Sequence, residues 1–541
     1  MIITNLAEIE RVAKLPRRVW SESDLQALAA RMTGLLKTNS GSMSLHPHQA
    51  QALAEIQKMR GGYMTLPVGA GKTLISALSP VVLGAKHPVL FVRAADLAKT
   101  HKDFLELSKH WKVPNPYRIL TYELLQQPTR RTMLFDHAFD VVVCDEVDAI
   151  KTKKDVMGPR ARRMLEYLQA HPDTVLVGLS GTPMSKSIED FWFPLKAALK
   201  KNSPLPLVKS DCEQWATALD VTNEDREPYP LFDLGDGTET GPDKERAAKS
   251  LKTRLTQTWG IVTSTTMSCD QPIAHYPIKD IIVPPDIERA IEMMDACGET
   301  LGEDILESQA ESWAYCREIL CGFFYLWDPA PPQAWRQARK AWKRFVREKL
   351  LSPANYADSP HLVEQDYLDH PLRLEWREIE PTFDADANRK VAWVDEYLLK
   401  EIERRVTDPT IIWVKNIEFG KGLSRQMKVP YYGGGKQASS RILEENGDRT
   451  IIASIAAHHR AKNLQMFTRN LVVNPPSNAA TWEQLIGRTH RQGQKKPVDV
   501  STFLHHSLLV DDMRTALRYA KNIELTIGQP QKLLYMKGDK I

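Results

Sequence analysis

Cysteine is scarce in this chain of 541 residues. There are six, at positions 144, 212, 269, 297, 316 and 321, and no two of them form a C-x-x-C pair. No clustered Cys/His set has zinc spacing, so reduced thiols of a cytosolic protein are the default reading. The adjacent pairs His458-His459 and His505-His506 do not alter this, because neighbours on an extended chain point to opposite faces. No apolar run approaches the length of a membrane helix, and no signal-peptide core stands at the N-terminus. The expectation is therefore no membrane partner and a cytoplasmic protein, nucleoid-associated or, in a eukaryotic host, nuclear. An excess of charge of one sign is missing too. Lys and Arg number 72 against 68 Asp and Glu, a formal net charge of +4. The chain is not a generally basic coat for nucleic acid, and any such surface must be local. Internal repeats and low-complexity tracts are also absent. Hydrophobic residues at 42% and charged residues at 26% are ordinary for globular chains, and the length implies three or four domain-sized units.

The most informative stretch is Leu66-Pro67-Val68-Gly69-Ala70-Gly71-Lys72-Thr73. It follows a short apolar run, Gly62-Tyr63-Met64-Thr65, and opens into Leu74-Ile75-Ser76-Ala77-Leu78, which reads as strand, glycine loop and helix start. Such a turn points backbone N–H groups and a helix N-terminus at an anion. Gly69 and Gly71 allow close approach to phosphates, Lys72 has the reach for the β- and γ-phosphates, and the Thr73 hydroxyl suits magnesium. The full P-loop pattern wants a glycine where Leu66 stands.

A second run, Asp140-Val141-Val142-Val143-Cys144-Asp145-Glu146-Val147-Asp148, has the pattern of a buried parallel strand ending in carboxylates. Asp145 is the candidate magnesium anchor and Glu146 the candidate base that orients the attacking water. A third run, Thr174 to Leu179, ends in Ser180-Gly181-Thr182-Pro183, and Gln484-Leu485-Ile486-Gly487-Arg488-Thr489-His490-Arg491-Gln492-Gly493-Gln494 comes near the C-terminus. Arg488 and Arg491 are three apart, so a helix there places them on one face, able to meet one γ-phosphate.

Together with Leu45-His46-Pro47-His48-Gln49 and Ile119-Leu120-Thr121-Tyr122-Glu123-Leu124-Leu125, these motifs in this order resemble a superfamily 2 helicase-type ATPase, and within it the Swi/Snf-type DNA translocases. The resemblance spans about residues 45 to 500. It implies an α/β fold of two tandem RecA-like lobes, each a parallel sheet flanked by helices, with ATP and Mg2+ bound in the cleft. It also implies that Gln49 reads the adenine edge, that Pro67, Val68, Gly69, Ala70, Gly71, Lys72 and Thr73 cradle the phosphates, and that Asp145 and Glu146 are the Walker B pair. Arg488 and Arg491 become arginine fingers, and Gln484 couples nucleotide state to lobe closure. The partner implied is DNA held by its backbone with weak base specificity, RNA being a possible substitute, and the motor is expected to be monomeric.

The expected organisation is a helical prefix over 1–40, a first lobe over 41–270 and a second over 271–541 with a helical insertion at about 286–385. Ser21-Glu22-Ser23-Asp24 predicts a capping box ahead of Leu25, Leu28 and Met32. The stretch 222–247 reads as a polar loop. Within the insertion, Trp335, Ala338, Trp342, Phe345 and Val346 form an apolar stripe, while Arg336, Arg339, Lys340, Lys343, Arg344 and Arg347 occupy the rest. That pattern predicts buried tryptophans and a basic face, either solvated or tracking phosphates.

Three further stretches depart from the family pattern. The loop His458–Ala461 before Asn463-Leu464 lacks its usual glycine, Val147 and Asp148 replace the usual residues after the acidic box although Lys151 is kept, and Ser264-Thr265-Thr266 lacks basic residues. The expected function is an ATP-dependent translocase on double-stranded or branched DNA in repair, recombination or fork remodelling. The alternatives are a strand-separating DNA or RNA helicase and an ATP-gated nucleic-acid clamp with little turnover. The intact Lys72, Asp145, Glu146, Arg488 and Arg491 argue against the clamp.

Overall fold

The computed structural model describes residues 3–67, 69–115, 117–130, 132–151, 158–220, 227–264, 267, 269–297, 300–302, 306, 309–352, 357, 359–460 and 462–538. The chain divides into two compact units. The first is Met1–Asp270 with Asn478–Gln484 and Leu517–Leu534; the second is Gln271–Ser477 with Leu485–Ala516 and Tyr535–Ile541. Both are α/β with a parallel sheet flanked by helices, consistent with tandem RecA-like lobes.

The first unit is built on β1 (Gly62–Thr65), β2 (Pro88–Val92), β3 (Arg118–Thr121), β4 (Val141–Asp145), β5 (Val175–Ser180) and β6 (Ile261–Thr263). Their order is β3-β2-β4-β5-β1-β6, and every pairing is parallel. The central strands are buried on both faces, which explains their continuous apolar sequences. Register then sets the site. Thr65 lies opposite Ser180, and Leu179 opposite Asp145, so the ends of β1, β5 and β4 share one carboxyl edge.

The prefix packs into this same core. Leu28, Met32 and Leu36 of the helix Glu22–Leu36 are buried in one cluster with Leu53, Ile75 and Leu78. The predicted capping box forms: the Ser21 hydroxyl accepts from Asp24 N–H at 3.1 Å, and the Asp24 carboxylate accepts from Ser21 N–H at 3.0 Å. The described part of the stretch 222–247 has more regular structure than its polarity suggests. Positions 221–226 lie outside the described residues, but a 3-10 turn spans Tyr229–Leu234 with Leu231 and Leu234 fully buried, and a helix starts at Asp243. Two isolated leucines under the chain anchor it, a signal that composition averages away.

The second unit has β7 (Ile273–Ile278), β8 (Phe323–Trp327), β9 (Arg389–Trp393), β10 (Ile411–Val414), β11 (Tyr431–Tyr432), β12 (Ile451–Ser454), β13 (Arg469–Val472), β14 (Val498–Phe503) and β15 (Met536–Gly538). Seven strands form a parallel sheet in the order β11-β12-β10-β13-β14-β7-β15. The region 286–385 is mainly helical, as the pattern predicts, but it also contains a strand. Phe323–Trp327 pairs antiparallel with Arg389–Trp393. Five bulky residues in a row favour a pleated, half-buried surface over a helix turn.

Candidate nucleotide-binding site

The helix Lys72–Leu83 starts directly after Gly71, whose φ of 80° is left-handed. Gly69 is left-handed as well, at 93°. Space reinforces the requirement at Gly71, since an added Cβ would sit 2.2 Å from Gln49 Nε2. Lys72 Nζ donates to the loop's own carbonyls, Leu66 O at 3.1 Å and Pro67 O at 3.5 Å, and lies 3.8 Å from the Glu146 carboxylate. The ammonium is thus held over the loop, beside the acidic box. Pro67 precedes this turn and Thr73 follows Lys72 in the first helical turn, both half-buried. Val68 lies outside the described residues.

Gln49 sits in the first turn of the helix Pro47–Met59, only 5% exposed. Its side-chain carbonyl accepts from His46 N–H at 3.0 Å, and its amide donates to Ala70 O at 3.2 Å. His48 Nε2 lies 2.9 Å from the same carbonyl. Gln49 therefore ties the helix N-terminus to the phosphate loop. Among the described residues one amide N–H and one carbonyl lone pair remain on it, the donor–acceptor pair that an adenine edge needs.

Asp145 ends β4, and Glu146 follows with φ 53°. A left-handed conformation at a non-glycine residue is uncommon and is concentrated at functional sites. Burial pushes the Asp145 carboxyl well above the usual carboxylate range; the Glu146 charge adds to this, and Lys72 opposes it. Two adjacent carboxylates facing one ammonium are short of positive charge, a donor set that fits a divalent cation. Two residues to which the sequence assigns no role brace this edge. Tyr122, fully buried, donates its hydroxyl to Asp145 O at 2.9 Å. Arg93 donates to the buried Asp148 at 3.0 Å, so the unusual Asp148 has a structural partner. Lys151 donates to the Ser185 hydroxyl at 3.0 Å.

Ser180 Oγ accepts from Thr182 N–H at 3.1 Å, folding the Ser-Gly-Thr-Pro turn onto the end of β5. Gln484 reaches that turn within the first unit, donating to Thr182 Oγ1 at 2.6 Å. Gln529 donates to Gly181 O at 2.6 Å, and Asn522 donates to Lys186 O at 3.1 Å. Beside Gln484, Glu483 is ion-paired with the buried Lys532 and also accepts from Lys532 N–H at 2.7 Å. The C-terminal segment bears no motif, so only the fold reveals these contacts.

The helix expected under the two arginines is corrected. It runs Ala479–Ile486 and stops before Gly487; turns closed by Arg488 N–H to Leu485 O and Thr489 N–H to Ile486 O follow. Arg488 and Arg491 therefore do not share a helix face. Arg488 is 3% exposed and donates to Lys462 O at 2.9 Å, while Leu464 N–H donates to Arg488 O. Arg491 is half-buried, and burial lowers its pKa from the ordinary arginine value. A short helix, Ile455–His458, leads into the glycine-free loop. His458 is buried with Nε2 2.7 Å from Gly433 O, burial holding its pKa below the ordinary value. Lys462, also buried, donates to Ser439 O at 3.0 Å, so it serves the fold. Ala461, Thr265 and Thr266 lie outside the described residues.

Residues 42–185 match the family model of the type III restriction enzyme res subunit, an ATPase region of the helicase superfamily 2 type. The match takes in Gln49, the phosphate loop, the acidic box and the Ser-Gly-Thr-Pro turn, and covers roughly a quarter of the chain. No curated protein matches the chain. Among the described residues, no helix is long and apolar enough to cross a membrane.

Proposed function

We propose that this chain is an ATP-driven motor that translocates on double-stranded or branched DNA, a diverged relative of the Swi/Snf-type translocases. The observation that carries the ATPase reading is the shared carboxyl edge of the first unit. There Lys72 lies 3.8 Å from Glu146, next to Asp145, at the end of a glycine loop tied to Gln49. Backbone N–H groups from Gly69 to Thr73 bind and orient the phosphates, and Lys72 exchanges the Leu66 and Pro67 carbonyls for phosphate oxygens. Thr73 and Asp145 are the residues that would hold magnesium, which supplies charge neutralisation on the phosphates when bound. Glu146 positions the attacking water and accepts its proton.

Phosphoryl transfer is mostly positioning and charge neutralisation, so the reaction waits for further positive charge. Arg491 is the better-suited arginine finger, since Arg488 already holds the Lys462 carbonyl. Nucleic acid that favours the complete arrangement stimulates hydrolysis by population shift. The type III restriction enzyme likeness supports a nucleic-acid substrate, and the retained Lys72, Glu146 and Arg491 argue against a clamp without turnover.

The deciding measurement is the steady-state ATPase rate alone and with matched single-stranded DNA, duplex DNA, branched DNA and RNA. Strong stimulation by duplex or branched DNA is expected. Stimulation by single strands alone would make the protein a strand-separating helicase, and a preference for RNA would change the substrate class.

A further inference from the structure

The helix Gln333–Leu351 of the second unit carries seven lysines and arginines against one carboxylate, Glu348. The whole chain is only +4. One element thus holds more net positive charge than the entire protein, the local basic surface that the overall composition requires of any nucleic-acid partner.

The packing decides which side of this helix faces out. Trp335, Ala338, Trp342 and Val346 are buried. Trp335 meets Trp376 and Phe383 edge-on at 5.3 and 5.1 Å, and donates to Glu380 O at 3.2 Å. Trp342 and Val346 share a small core with Ala357 and Val363. Two of its cations lie over aromatic rings of this packing. Arg339 lies over the rings of Trp327 and Trp335, and Lys349 over Phe345 and Tyr367. The other five, Arg336, Lys340, Lys343, Arg344 and Arg347, are exposed. Their spacing of i, i+4, i+7, i+8 and i+11 puts them on one stripe about 16 Å long. Among the described residues, Glu311 from outside the helix bears on Lys343 with its charge.

The chemistry of the stripe selects its partner. A membrane-surface helix exposes Trp, Phe or Leu beside its cations, and here Trp335 and Trp342 are buried while Phe345 and Leu350 pack against the small core. A protein interface wants an apolar centre, and the exposed neighbours on this helix, Ala334 and Gln337, supply no large apolar side chain. A duplex presents one negative charge per ~1.7 Å of axis, a density that a dense row of cations matches without apolar contact. We propose that the stripe Arg336–Lys340–Lys343–Arg344–Arg347 is a docking track for the phosphate backbone of duplex nucleic acid, independent of base sequence. This rests on the nucleic-acid reading above and adds a contact surface outside its motifs.

The test is binding of a short labelled duplex to the full chain, followed by fluorescence anisotropy across a salt series. The proteins are the wild type, the triple variant Lys340→Gln/Lys343→Gln/Arg347→Gln, and the charge-keeping Lys340→Arg/Lys343→Arg/Arg347→Lys. Each cation withdrawn from a phosphate lowers the slope of log K against log salt by ~0.9, so the slope of the neutral triple variant should fall by ~2–3. The charge-keeping variant should retain the wild-type slope, and melting curves of all three should coincide because the substituted side chains are exposed. An unchanged slope in the neutral variant overturns the proposal, as does an equal fall in the charge-keeping one. Loss of binding to anionic phospholipid vesicles with duplex binding intact would also overturn it, assigning the stripe to a lipid surface. A wild type that binds no nucleic acid removes the motor reading itself, a result distinct from a wild type and triple variant that bind alike.

Discussion

Gln484 donates to the Thr182 hydroxyl at 2.6 Å, a bond between residues 302 positions apart in sequence, both buried within the first unit. It connects the turn at the end of β5 to the residue directly before the chain enters Leu485–Ala516 of the second unit. If this bond transmits nucleotide state, its partners act as one device. Thr182→Val and Gln484→Ala should each reduce duplex-stimulated kcat, and the double variant should be no worse than the worse single one. The coupling expected for one buried hydrogen bond is about 1 kcal/mol. Effects that simply multiply in the double variant would show that the residues act separately.

The ammonium over the phosphate loop is a sharper test of the site. Lys72→Ala should abolish turnover and weaken ATP binding, with the melting curve little changed, because its hydrogen-bond partners are carbonyls that water can satisfy and its ion pair with Glu146 is long, at 3.8 Å. Glu146→Gln should retain ATP binding and hydrolyse it at least ~10²-fold more slowly, as expected for loss of a positioned base. Rapid-quench kinetics with labelled ATP separate the two. Wild-type turnover in the Glu146 variant would move the base elsewhere.

The first unit is legible because its signals are local. A buried parallel strand must be continuously apolar, and a turn that approaches phosphate must use glycine, so β1, β4, β5 and the loop at Gly69–Gly71 stand out in the sequence. The tryptophans of Gln333–Leu351 are legible as a stripe for the same reason. What stays hidden is tertiary. Asp148 reads as a departure in sequence, yet Arg93, 55 positions away, pairs with it. The helix expected under Arg488 and Arg491 stops at Ile486, and the chain turns from Gly487, a poor helix former, onward. The strand Phe323–Trp327 is masked by its helical neighbours, since a five-residue apolar run has no periodicity of its own. Gln529 and Lys532 carry no motif at all.

The two arginines near the C-terminus should separate in experiment. Arg488 is buried and donates to Lys462 O, so Arg488→Ala should cost about 1–3 kcal/mol of stability along with activity. Arg491 is half-buried with no side-chain hydrogen bond or ion pair among the described residues. Arg491→Ala should therefore leave the melting temperature unchanged and lower stimulated kcat by ~10³-fold or more, the range of an arginine finger. Paired melting and single-turnover measurements check both. Equal destabilisation by the two variants would remove the distinction.

Lys532 and Glu483 form an ion pair with side chains only 3% and 8% exposed, one residue from Gln484. Lys532 also donates its backbone N–H to the same carboxylate, so Glu483 is held from two directions. Removing one partner strands a charge in a medium that solvates it poorly, whereas removing both strands no charge and leaves only the Lys532 N–H to find another acceptor. Lys532→Met alone should cost about 3–5 kcal/mol, and Lys532→Met with Glu483→Met should recover most of it. Hydrogen exchange over Ala479–Ile486 reports the loss locally, which suits a chain whose two units need not unfold together. If the pair also fixes the reach of Gln484, the double variant should stay stable yet show weaker duplex stimulation. Restored stability with full stimulation would confine the pair to holding the C-terminal segment in place.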